Sequence, residues 1–167
     1  MVEREYKHKK EKNKDKTKNL IKDKMQVIFF YISIALTVIF HFILPISTVI
    51  ISPYTYIGLI LIGIGLVYNF WAVFTLKKFE TTYEFYDTPT TLVTSGPFSK
   101  SRNPIYLGGI VLMIGVSIFL GSLITFIFPP IVIIILHFYY IPIEEKKMED
   151  LFGNDYLKYK KDVRRWI

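Results

Sequence analysis

The stretch "NPIYLGGIVLMIGVSIFLGSLITFIFPPIVIIILHFYYIPI", Asn103 to Ile143, runs 41 residues without a Lys, Arg, Asp or Glu. About 20 apolar helical residues cross the ~30 Å hydrocarbon core of a bilayer. The block is therefore too long for one crossing and the right length for two, with Gly121 and Ser122 as the turn between them. Upstream, Met25 to Ile51 and Ser52 to Leu76 are also free of charge apart from His41, and each exceeds a single span. The fold class read from this pattern is an all-α polytopic membrane protein with four transmembrane helices, at about 25–51, 54–76, 104–120 and 123–143. A cytoplasmic amphipathic helical segment is expected over 144–167, and residues 25–167 read as one domain. The composition agrees, with 51% hydrophobic and 17% aromatic residues among 167 and a mean hydropathy of +0.35, all high for a soluble chain.

The charges test the span count independently, because cytoplasmic segments of membrane proteins are enriched in Lys and Arg. Residues 1–24 carry ten, 77–102 carry four and 144–167 carry seven, which accounts for all 21. Four spans put these three segments on one side, so both termini and the middle loop are expected to be cytoplasmic. The remaining connections, at Ser52-Pro53 and Gly121-Ser122, are uncharged. Residues 1–24 set ten basic against five acidic residues with almost nothing to bury. They are expected to be disordered, to act as a topology determinant and to touch anionic headgroups at most. The apolar run behind them is too long for a cleavable signal. The absence of cysteine excludes disulfides, thiolate metal sites and a cysteine nucleophile.

Inside the spans, Pro45 follows His41 by one helical turn, and a kink is expected there. Gly58 and Gly65 lie seven apart, as do Gly108, Gly115 and Ser122, a spacing by which small residues let helices approach closely in lipid. His41 and His137 are read as histidines bonded to a neighbouring element rather than as metal ligands, since neither has a second ligand at helical spacing. Beyond Ile143, apolar or aromatic residues at 148, 151, 152, 156, 159, 163 and 166 follow a helical period. Gly153 interrupts them and Asn154 or Asp155 can cap a restart. Two short surface helices are expected, with Trp166 and Tyr156 or Tyr159 at headgroup level.

This topology brings the middle loop against the start of that segment, and both carry distinctive residues. Glu144 and Glu145 stand two and three residues past Pro142. Adjacent carboxylates at a membrane boundary repel and lose hydration, so at least one needs a cation or a hydrogen-bond donor. Facing them, "SGPFSKSRNPIY" offers a turn at Gly96-Pro97, an aromatic at Phe98 and a fork donor at Arg102. Asn103 is suited to cap the third helix and Pro104 to its first turn.

Together, "LVTSGPFSKSRNPIYLGG" from Leu92 and "EEKKMEDLFGNDYLKYKKDVRRW" from Glu144 resemble the isoprenylcysteine carboxyl methyltransferase family and, more broadly, its relatives among the phospholipid methyltransferases. The resemblance implies an integral-membrane enzyme using S-adenosylmethionine. Carried over by position, Thr90, Thr91, Leu92 and Val93 would wrap the cofactor and Phe98 would be its aromatic wall. Asn103, Pro104, Ile105 and Tyr106 match its contact segment, with Asn103 in place of a histidine. Glu144 matches the carboxylate that holds it, and Tyr83 falls near a further contact. Tyr140 stands at the substrate position where members acting on prenylcysteine carry an arginine suited to a substrate carboxylate, an exchange that speaks against a carboxylate substrate unless Arg102 reaches in its place.

Methyl transfer from a sulfonium is an in-line displacement that asks for alignment and exclusion of water, not for a metal or a covalent nucleophile. A carboxylate acceptor needs no base, whereas an amine acceptor must lose a proton, for which Glu145 or Tyr106 is nearest. The expected partners are the bilayer and a lipid or prenylated small-molecule substrate, with no nucleic acid. The oligomeric state is open. The alternatives to an isoprenylcysteine methyltransferase-like enzyme are a phospholipid N-methyltransferase, a sterol-reductase-like enzyme and a non-enzymatic membrane scaffold.

Overall fold

The computed structural model describes residues 28–44, 46–81 and 89–167. The expectations for residues 1–24, for a kink at Pro45 and for Tyr83 lie outside the described residues. Among the described residues the fold is all-helical, with no strand and an isolated bridge between Thr48 and Ser122. Helix α1 is Ile28–Ile43, α2 Tyr56–Lys78, α3 Pro104–Leu120, α4 Phe128–Ile135 and α5 Ile141–Asp162. A 3-10 turn, Leu123–Ile127, precedes α4, and a π-helical turn, Leu136–Tyr140, joins it to α5. The result is one helical run of 40 residues, Leu123–Asp162. That run and α2 are long and apolar enough to cross a membrane, while α1 and α3 are shorter apolar helices. The outer surfaces are apolar, with Phe42 73%, Val67 70% and Phe138 74% exposed. So extensive an apolar exterior is suited to hydrocarbon and not to water.

The first helix is shorter than the span of 25–51 read from hydropathy: it ends at Ile43. Pro45 explains the early stop, because a residue preceding proline is pushed out of the helical region. The chain then turns beneath the α3–α4 connection. The amides of Val49 and Ile50 donate to the Gly121 carbonyl at 2.8 and 3.1 Å, and the amide of Leu123 donates to that of Ser47 at 3.1 Å. These bonds satisfy backbone groups that hydrocarbon cannot. His41 Nδ1 bonds Ser122 Oγ across the same junction, the interhelical partner its position calls for.

The glycine spacing finds its meaning between α2 and α3. Gly58 faces Gly115 and Gly65 faces Gly108, so two glycines seven apart on one helix meet two glycines seven apart on its antiparallel neighbour. A Cβ at Gly65 would lie 2.7 Å from both the Gly108 carbonyl and the Leu112 amide nitrogen. Backbone atoms cannot rotate aside. Gly65→Ala is therefore expected to destabilise the fold by about 1–3 kcal/mol, the cost of an overpacked core, with a lowered unfolding temperature in detergent as the measurement. One turn further on, the Asn69 amide donates to the Ile105 carbonyl at 2.7 Å and accepts from the Gly109 amide at 3.3 Å.

A buried cluster of Tyr106, Ile110, Met113, Val132, Leu136 and Ile141 fastens α3 to the 40-residue run. The π-helical turn within it has a local cause. Pro142 lacks an amide hydrogen and its ring clashes with the carbonyl four residues back, and a wider turn relieves both. Gly153 has φ 51° and ψ −123°, a conformation open to glycine, and the kink there divides α5 into the two segments read from the sequence. The tyrosines behave differently from that reading. Tyr156 and Tyr159 are 3% and 7% exposed, turned inward beneath the loop ahead of α3 and not toward lipid headgroups.

Candidate active site

The loop between α2 and α3 is anchored at both ends. The Thr90 amide donates to Thr81 Oγ1 and its hydroxyl to the Glu80 carbonyl, both at 3.2 Å, which returns the chain to the end of α2. The 3-10 turn Gly96–Ser99 follows, and the Phe98 carbonyl accepts the Tyr159 hydroxyl at 2.7 Å. Asn103 then occupies the cap position of α3, its carbonyl accepting the Leu107 amide at 3.0 Å. Its side chain makes no capping bond. Instead Asn103 Nδ2 donates to the Arg165 carbonyl at 2.9 Å, while the Asn103 amide donates to the buried Ser101 Oγ at 3.1 Å. The cap expected of the Asn103 side chain thus gives way to a long-range tie. Pro104 opens the helix as its rigid φ predicts.

Glu144 and Glu145 lie in the first turn of α5, and neighbours on a helix are rotated about 100° from one another. That rotation separates their roles. Glu144 Oε1 accepts the Tyr106 hydroxyl at 2.8 Å, and Phe30 stacks on the Tyr106 ring with centroids 6.4 Å apart. Among the described residues no ion pair reaches Glu144. Burial pushes its carboxyl up to about 7, against the lowering effects of the Tyr106 bond and the Lys147 charge, while the neighbouring Glu145 charge adds to the rise.

Glu145 is the opposite case. Arg165 grips it with two bonds, Nε to Oε1 at 2.9 Å and Nη2 to Oε2 at 2.7 Å. Arg102 Nη2 donates to Oε1 at 2.8 Å, and Lys160 Nζ stands 3.9 Å from Oε2. Burial alone would raise this carboxyl, but the Arg165 hydrogen bond and the charges of Arg102, Arg165 and Lys160 outweigh it and hold the group below the ordinary carboxylate value. The same contact raises Arg165 further. A carboxylate held this way is a poor proton acceptor at neutral pH, which corrects the expectation that Glu145 is the nearest base.

A cavity of about 570 Å³ opens between these elements, within the size range of small-molecule sites. Thr91, Leu92, Val93 and Phe98 of the loop line it, and so do Arg102, Asn103, Pro104, Ile105 and Tyr106 at the start of α3. Glu144 and Glu145 complete that wall. Thr90 does not reach it and serves to tie the loop. Tyr140 is also absent from the lining. Its ring packs 5.9 Å from that of Phe29 and against the α3–α4 cluster, because α1 covers the face of the run on which it lies.

Contributors from the first two helices were not singled out from the sequence. The inner part of the cavity is formed by Phe30 and Tyr31 of α1 and by Asn69 and Val73 of α2, residues that read as ordinary span positions. The basic dipeptide Arg164-Arg165, close to a pair of carboxylates in need of cations, was the available signal for the Glu145 clamp.

The profile of the phospholipid methyltransferase family matches residues 54–155, from the start of α2 past the kink in α5. An uncharacterized protein of Haemophilus influenzae is 30% identical over 63 residues, which are 38% of this chain and the whole of that relative. No solved structure matches the chain. The matched stretch holds the glycine-paired helices, the cavity loop and both carboxylates, and it covers more than half of the chain: the protein belongs to the phospholipid methyltransferase family, membrane methyltransferases that act on lipids.

Proposed function

We propose that the cavity takes up S-adenosylmethionine and that the protein transfers its methyl group to a lipid or lipidated acceptor, as an integral-membrane enzyme of four spans with the cavity on the cytoplasmic side. The observation that carries this reading is Glu144, a carboxylate facing the cavity without an ion-pair partner among the described residues. Such a group is suited to a cationic ligand. The donor set fits the cofactor: a carboxylate for its ammonium or sulfonium charge, the Phe98 ring for its base, and loop residues 91–93 to wrap it. When bound, the cofactor supplies an electrophilic methyl on a positively charged sulfur.

The chain's own residues do the rest. Tyr106 holds Glu144 in position through its hydroxyl. Apolar side chains of α1, α2 and α3 exclude water and admit the hydrocarbon part of the acceptor from the bilayer. The charged groups of the lining, Arg102, Glu144, Glu145 and Lys147, stand at the starts of α3 and α5, so the acceptor's headgroup is brought up to the methyl while its chain stays in lipid.

Motif resemblance favours an isoprenylcysteine carboxylate as acceptor. A specific observation favours an aminophospholipid: Arg102 is committed to Glu145 and to the Lys160 carbonyl at 2.9 Å, and Tyr140 sits outside the cavity. Both residues considered for a substrate carboxylate are thereby occupied or displaced. Methyl incorporation into a prenylcysteine and into phosphatidylethanolamine, compared in one preparation, decides between them.

Binding of S-adenosylmethionine by calorimetry tests the whole reading, and its pH dependence tests the role of Glu144. That carboxyl is neutral below about 7 and ionised above it, and a cationic ligand prefers the ionised form. Affinity is expected to rise by up to about tenfold per unit between pH 6 and 7 and to level off above. The Glu144→Gln protein should show a flat profile. No binding by the parent protein at any pH rules the function out, and a flat parent profile rules out the part assigned to Glu144.

A further inference from the structure

We propose that Arg165 is a positioning residue for the cavity wall, acting through Glu145 and through its own backbone carbonyl. The proposal rests on the cavity being an S-adenosylmethionine site. Arg165 does not line the cavity, yet the carbonyls of Arg164 and Arg165 hold Arg102 and Asn103, which do. The Arg164 carbonyl accepts the Arg102 amide at 3.0 Å. The Arg165 carbonyl accepts Asn103 Nδ2 at 2.9 Å and Ser101 Oγ at 3.3 Å. Trp166 Nε1 donates to His137 Nδ1 at 3.1 Å, which fixes the far side of the segment to the helical run.

Val163 begins this strap by leaving the helix in an extended conformation, φ −121° and ψ 130°, which turns the chain back toward the start of α3. The strap is therefore an extended segment whose carbonyls hold residues 101–103 and whose guanidinium is clamped to the first turn of α5. Those are the two pieces of backbone that carry Asn103 and Glu144. A planar guanidinium with two parallel bonds to one carboxylate sets direction as well as distance, which a lysine's single ammonium does not. Arg102 shares Glu145 Oε1 with Arg165, so a shift of the strap is passed to a residue that lines the cavity. The effect should appear in how well the cofactor is held and not in the chemical step.

The test uses the full chain in lipid nanodiscs, with S-adenosylmethionine binding by the parent as the first measurement. If the parent does not bind, the function falls and this proposal with it. If it binds, KM for S-adenosylmethionine should increase in the order parent, Arg165→Lys, Arg165→Met. Rises of about threefold and at least about tenfold are expected, with kcat at saturating cofactor within about twofold. A role in stability alone predicts a loss of folded enzyme, hence of apparent kcat, with KM unchanged. That result, or equal KM values for parent and Arg165→Lys, overturns the proposal. Should Arg165→Met give no folded protein, Arg165→Lys decides by the same criterion, since it keeps the charge beside Glu145.

Discussion

Glu144→Ala is expected to weaken S-adenosylmethionine binding by about 10- to 100-fold, the worth of one charge-assisted contact, and to reduce methyl transfer at low cofactor concentration accordingly. The substitution removes a carboxylate of the cavity wall together with its bond from the Tyr106 hydroxyl. Glu144→Gln keeps the shape and an acceptor oxygen, so it isolates the charge. Its effect on stability runs the other way. In the folded protein the Glu144 carboxyl is raised from 4.5 to about 7 by burial, so the native state holds the proton more tightly than the unfolded chain does. The stability due to that proton is present in full below 4.5 and is lost as pH rises through about 7. Glu144→Gln removes the penalty and should raise the unfolding temperature relative to the parent more at pH 8 than at pH 5. A variant that gains stability while losing cofactor affinity marks a group kept for binding. A parent and Glu144→Ala with the same affinity would show that the cavity charge plays no part.

Glu145→Ala should act on the fold. The side chains of Arg102 and Glu145 are 9% and 8% exposed, and Arg165 closes the cluster from the other side. Removing the shared carboxylate leaves guanidinium charge in the interior without its counterion, a change that costs about 3–5 kcal/mol in buried ion pairs. Unfolding by denaturant in detergent measures it, and a loss under about 1 kcal/mol would mean the cluster is solvated and weak. The pH dependence has the sign opposite to that of Glu144. Because Glu145 is held below its ordinary value of 4.5, its contribution is present above that pH and disappears on acidification below it. Two adjacent glutamates thus give stability profiles that slope in opposite directions, and the two single variants separate them.

The helical class, the breaks at Gly121 and Gly153, the start of α3 at Pro104 and the paired glycines were all legible because each depends on local rules. Hydropathy and the helical period act over one or two turns, and proline and glycine act where they stand. The need for a partner at one of the two carboxylates was legible for the same reason, since repulsion between neighbours is a property of the pair itself. Readings failed where a local rule met a distant competitor, as at Glu145, whose arginines come from segments 43 and 20 residues away. The Asn103 side chain left its capping role for the Arg165 carbonyl, 62 residues away in sequence. Tyr156 and Tyr159 left the lipid surface because the loop ahead of α3 covers them, and Tyr140 left the cavity because Phe29 of α1 packs against it.

By itself the sequence determined that this chain is helical and apolar on its outer faces, where its helices turn, and which glycines stand at the spacing of close helix contacts. Only the tertiary structure decided which glutamate is gripped by arginines and which is bonded to a tyrosine. On one helical turn the two are chemically equivalent, and the choice depends on where Tyr106, Arg102 and Arg165 arrive from segments 20 to 43 residues distant. A carboxylate's behaviour is set by the charges and donors within a few ångströms of it, and folding, not sequence neighbourhood, brings the arginines to Glu145 and the Tyr106 hydroxyl to Glu144.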